Sequence, residues 1–108
     1  MKLYAIKNSE NELYFQLEKK DKTIEIINSV AYILFNSTKF TFDNEWQEGF
    51  PDKECYLGYE SKGVFIAATI SENRVHLLIR GLKDSVKTEK VKKLIFENYK
   101  LVAPVPES

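Results

Sequence analysis

Residues 55–81 read CYLGYESKGVFIAATISENRVHLLIRG, and the fold turns on them. Val64, Ile66, Ala68 and Ile70 recur at every second position, as do Val75, Leu77 and Ile79. Side chains of a strand alternate between its two faces, so this period puts one apolar row on each of two strands. Strands are therefore expected at 55–60, 63–71 and 74–81. The intervening Ser61-Lys62-Gly63 and Ser71-Glu72-Asn73 are short and hold Gly or Asn, residues that take the backbone angles of tight turns. The three strands should form an antiparallel meander with a matched hydrophobic side.

Downstream the period changes. Asp84 and Ser85 offer side-chain oxygens to free backbone N–H groups, and neither Gly nor Pro interrupts 86–100, which predicts a terminal helix. Val91, Leu94, Ile95 and Tyr99 fall on one helical face, while Lys87, Lys90, Lys92, Lys93 and Glu97 are left to solvent. Residues 101–105 add at most a short extended segment, since Pro104 and Pro106 stop longer pairing.

Upstream, 2–7 and 12–19 read as strands joined at Asn8-Ser9-Glu10-Asn11, with Leu13, Phe15 and Leu17 on one face and Tyr14, Gln16 and Glu18 on the other. After a turn at Asp21-Lys22, 23–27 reads as a strand ending at Asn28-Ser29. Residues 30–35 are apolar on every side; β-branched and aromatic content favours a strand, with a short buried helix capped by Ser29 as the alternative. A short strand is expected at 39–42. The whole is an α+β chain: a mainly antiparallel sheet of about six to seven strands with a C-terminal helix packed on it. It should form one domain over 1–108, with an ordered core at about 2–103 and a loose tail at 104–108.

With 44% hydrophobic and 30% charged residues, the chain has the composition of a soluble globular protein. No apolar run nears the roughly 20 residues that span a bilayer, and Met1-Lys2-Leu3-Tyr4 begins no signal segment, so a cytoplasmic location is expected. A single cysteine, Cys55, excludes an internal disulfide. Zero formal charge argues against generic adhesion to nucleic acid or membrane.

That neutrality is made of opposed patches. In 42–55, Asp43, Glu45, Glu48, Asp52 and Glu54 are offset only by Lys53 and interleaved with Trp46, Phe50 and Pro51. Arg80, Lys83, Lys87, Lys90, Lys92, Lys93 and Lys100 form the positive counterpart, diluted by Asp84, Glu89 and Glu97. The acidic segment reads as a loop. Its bland role is a hydrophilic connection with Trp46 or Phe50 folded onto the core; its functional role is a docking surface, where charge steers a basic partner and rings supply affinity. The sequence leaves the orientation of Trp46 open.

Catalytic readings lack residues. His76 is the only histidine, so two imidazoles cannot share acid and base roles, and strand spacing makes it a structural residue first. Cys55 and His76 belong to no nucleophile motif, and Cys is commonly a small buried hydrophobe. One Cys and one His cannot supply the usual zinc sets, and the acids of 42–55 lack the spacing of a calcium loop. The four glycines, at 49, 58, 63 and 81, are isolated and build no phosphate loop. Neither a metal nor a cofactor is expected, nor enzymatic activity.

With one small domain rich in Lys, Asn, Ile and Glu, strands followed by a helix, and the segment Asp43-Asn44-Glu45-Trp46-Gln47-Glu48, the chain resembles small immunity proteins of bacterial contact-dependent growth inhibition and related polymorphic toxin systems. The resemblance is one of general form and rests on no specific motif. It implies a cytoplasmic inhibitor that binds one cognate toxin domain, such as a nuclease, and shields its active site. Asp43, Glu45, Trp46, Glu48, Phe50, Asp52 and Glu54 would then form the partner surface, carboxylates standing where phosphates bind and a ring where a base stacks. The alternative is a small RNA- or DNA-binding protein using Lys87, Lys90 and Lys93 with nearby strand aromatics. Self-association is left open by the sequence.

Overall fold

A computed structural model describes residues 1–36, 55–71 and 73–102. In chain order these form β1 (Lys2–Ser9), β2 (Glu12–Glu18), α1 (Thr23–Phe35), β3 (Cys55–Ser61), β4 (Val64–Ser71), β5 (Arg74–Arg80), α2 (Ser85–Asn98) and β6 (Lys100–Leu101). The six strands make one sheet in the order β3-β4-β5-β2-β1-β6. The meander is present within one residue of its expected limits, and β5 pairs antiparallel with β2 through seven residues from Glu12↔Arg80 to Glu18↔Arg74. This pairing joins the meander to the N-terminal hairpin.

The cross-strand register builds the core row by row. Leu17, Val75 and Ile70 lie abreast, then Phe15, Leu77 and Ala68, then Leu13, Ile79 and Ile66. All nine are buried in a single cluster with residues of both helices, so α1 and α2 share one face of the sheet. The result is a two-layer α+β arrangement.

The turns use left-handed backbone where a two-residue connection demands it. Asn11 has φ 65° between β1 and β2; Lys62 and Gly63 have φ 53° and 80° between β3 and β4. Gly81, φ 76°, ends β5, and a Cβ there would clash with the Gly63 carbonyl oxygen. The Gly81 N–H donates to the Asn11 carbonyl at 2.8 Å, so three turns meet at one end of the sheet.

Three expectations are corrected. Residues 23–27 and 30–35 are not strands; they are parts of the thirteen-residue helix α1, and Ser29 caps nothing. Its hydroxyl donates to the Glu25 carbonyl at 3.0 Å in mid-helix. The physical reason is visible in spacing: Glu25, Ser29, Tyr32 and Asn36 are exposed, three or four residues apart, while Ile24, Ile27, Ala31 and Leu34 are buried between them. The sheet is mainly antiparallel, as expected, with one short parallel pair. After α2 the chain returns beside β1, where Lys2↔Lys100 and Leu3↔Leu101 pair in parallel. Consequently α2 is not the last element. The expected strand at 39–42 and the tail at 104–108 lie outside the described residues.

Helix α1 starts without a side-chain cap at Lys22. Order comes instead from Thr23, fully buried, whose hydroxyl accepts from the Lys20 N–H at 2.9 Å and from the Tyr99 hydroxyl at 3.1 Å while donating to the Glu18 carbonyl at 3.0 Å. At the other end Asn36 takes the left-handed conformation, φ 50°, and its N–H closes on the Tyr32 carbonyl at 2.8 Å. Helix α2 begins as its sequence predicts: the Asp84 carboxylate accepts from Val86 N–H at 2.9 Å and Lys87 N–H at 3.2 Å.

Candidate functional site

The acidic-aromatic partner residues Asp43, Glu45, Trp46, Glu48, Phe50, Asp52 and Glu54 lie outside the described residues. Their attachment points are described. The segment leaves the chain after α1, whose C-terminal turn is closed at Asn36, and rejoins it at Cys55, the first residue of β3. Strand β3 is held to β4 through seven paired positions, from Cys55↔Ile70 to Ser61↔Val64. Beside α1's end, Phe35 packs edge-on against Tyr59 of β3, ring centroids 4.9 Å apart, so both anchors belong to the packed body of the molecule.

The basic residues separate by what they touch. Lys87 Nζ donates to the Leu34 carbonyl at 3.0 Å, satisfying one of the free carbonyls at the end of α1 and placing a positive charge at the negative end of that helix. Exposed Lys93 stands 3.9 Å from Glu97, and Lys92, half-buried rather than left to solvent, 3.8 Å from Glu89. Lys90 has no ion-pair partner among the described residues; it lines a concavity of about 330 Å³ with Tyr32, Ile33, Asn36 and Lys87. One of the three lysines of the alternative nucleic-acid site thus serves helix packing, a second is near a carboxylate, and Lys90 alone of the three has neither engagement among the described residues.

The sheet face opposite the helices carries a constellation that the strand alternation hinted at but did not assemble. Tyr14 of β2 and His76 of β5 sit diagonally across the strand pair, the Tyr14 oxygen 2.5 Å from His76 Nδ1. Burial holds the Tyr14 phenol above the ordinary tyrosine range, so the hydroxyl keeps its proton and can donate to the ring nitrogen. At one end of the same face the Arg74 guanidinium lies 3.9 Å above the Tyr4 ring, and the Tyr4 hydroxyl reaches Glu18 at 3.4 Å. At the other end Arg80 pairs with Glu12 at 3.2 Å. Tyr14, Gln16 and Glu18 were already assigned to one face by period two; bringing His76 and the two arginines to them required the β2–β5 register, which no single strand contains.

His76 is half-buried in this network and is bonded to a tyrosine rather than to a cysteine. In register it stands opposite Thr69, whereas Cys55 is two strands away opposite Ile70. Among the described residues no group of three or more His, Cys, Asp or Glu side chains could hold a metal ion, and no helix is long and apolar enough to cross a membrane. Comparison with protein-family models, curated proteins and solved structures gives no match for this chain.

Proposed function

We propose that the protein is a protein-binding inhibitor, an immunity protein that binds and blocks a cognate bacterial toxin domain through its acidic-aromatic segment. The observation that carries this reading is the placement of the segment between two secured anchors, the closed end of α1 and the seven-residue strand β3. A segment rich in carboxylates and rings, tied at both ends to one packed body, can be offered to a partner at lower ordering cost than a free tail. Asp43, Glu45, Glu48, Asp52 and Glu54 supply the charge that draws a basic active site; Trp46 and Phe50 supply buried area. The inhibitor acts by occlusion, in the cytoplasm, and performs no chemistry of its own.

The test is co-purification with the toxin domain encoded beside it, followed by the triple change Asp43→Lys, Glu45→Lys and Glu48→Lys. Binding should weaken by at least about a hundredfold, the scale expected when several charges facing an oppositely charged cleft are reversed. Unchanged binding by a correctly folded variant would remove the site. The alternative, nucleic acid bound at Lys87, Lys90 and Lys93, rests chiefly on Lys90, because Lys87 is engaged with Leu34 and Lys93 lies near Glu97.

A further inference from the structure

We propose that a second copy of this chain packs on the sheet face opposite the helices, forming a two-fold dimer. The argument lies in the order of charges along two neighbouring strands. On this face β2 presents Glu12, Tyr14, Gln16 and Glu18, and β5 presents, directly across from them, Arg80, Leu78, His76 and Arg74. One strand is acidic at both ends and its neighbour is basic at both ends, with uncharged or ring-bearing residues between.

Such a pattern is self-complementary. A two-fold axis parallel to the strands, running along the β2–β5 seam, lays β2 of each copy over β5 of the other. Residues paired in register keep the same height along that axis. Glu12 therefore faces Arg80 of the second copy, and Glu18 faces Arg74; Tyr14 meets Leu78, and Gln16 meets His76. Each contact occurs twice, as an isologous interface requires. Aligned sheets pack about 10 Å apart at about 30°, which displaces the ends of a strand of this length by roughly 5 Å, within reach of Glu and Arg side chains.

The composition suits an interface. Along the β2–β5 seam charges sit at the ends, and Tyr14, Gln16, His76 and Leu78 occupy the middle. Both helices cover the other face, and no helix among the described residues lies on this one. The Arg80 side chain is 61% exposed, so its existing contact with Glu12 leaves donors of the five-donor guanidinium for a second carboxylate.

Sedimentation of the full chain over a concentration series tests the arrangement. The natural chain should dimerise. The variant Arg74→Glu/Arg80→Glu makes both strands acidic, and Glu12→Arg/Glu18→Arg makes both basic; each alone should dimerise at least about tenfold more weakly, and an equimolar mixture of the two should form a heterodimer. Should Arg74→Glu/Arg80→Glu lose its circular dichroism spectrum, Arg74→Gln/Arg80→Gln replaces it, and Glu12→Gln/Glu18→Gln likewise replaces Glu12→Arg/Glu18→Arg; each should weaken the dimer by itself, mixing being read only for the two charge-reversed variants. A natural chain that stays monomeric at its highest soluble concentration overturns the proposal. So does a dimer indifferent to these changes, or two folded variants that fail to associate when mixed.

Discussion

Helices α1 and α2 rest side by side on the same sheet face, yet α1 buries seven of thirteen residues and α2 only Val91 and Ile95 of fourteen. The two owe their helical form to different causes. Helix α2 is specified locally, by the Asp84 cap, an uninterrupted run of helix-compatible residues and a solvated lysine face. Helix α1, rich in β-branched isoleucine and without a side-chain cap, is held by the tertiary structure around it. Local signals alone would have let it be something else.

The comparison can be broken at several points. Ile27→Ala, at a fully buried site of α1, should cost about 2–5 kcal/mol in denaturant unfolding; a cost under about 1 kcal/mol would mean that α1 does not depend on the core as argued. Next comes Thr23→Val. It removes the hydroxyl on which Lys20, Tyr99 and Glu18 converge, stranding two donors, and should cost about 1–3 kcal/mol by the same measurement. Asp84→Ala should cost about 1 kcal/mol, since the substitution removes a cap while leaving the burial of Val91 and Ile95 intact. A larger loss there than at Thr23 would invert the distinction between the two helices.

The smallest effect is one of pH. Burial, with the Glu18 carboxylate adding to it, raises the Tyr99 phenol above its ordinary value near 10, and burial does the same for Tyr14. Unfolded tyrosines ionise at about 10, so above that pH the folded chain holds more protons than the unfolded one. The stabilisation is complete below about 10 and is lost as pH rises through the folded values. Absorbance at 295 nm should show Tyr14 and Tyr99 titrating above the ordinary tyrosine value, and Tyr99→Phe should flatten the alkaline fall in stability. Uniform titration would contradict the burial.

What was legible follows from the same contrast. Strands β2 and β5 advertise themselves because one face is buried and the other partly wet, giving period two; α2 does so through its cap and its stripe. Helix α1 does not, because its buried surface is so wide that apolar runs replace a stripe, and Asn28-Ser29 has the composition of a turn. Reading its polar residues would have served better: Lys22, Glu25, Ser29 and Asn36 keep helical spacing where the apolar ones give no period. The Tyr14–His76 pair and the end-to-end charge order of β2 and β5 depend on register between strands 62 residues apart, information no local window holds. The parallel return of β6 is equally non-local.

Gly63 and Gly81 share left-handed backbone, but a side chain at 63 would meet open space and one at 81 the carbonyl of residue 63. In a deep mutational scan the two positions should therefore part company, position 63 admitting Asn or Asp, which tolerate such angles, and position 81 admitting glycine alone. Any loop graft intended to lengthen the β3–β4 hairpin would therefore push against the end of β5, where the residue 63 carbonyl already fills the space beside Gly81.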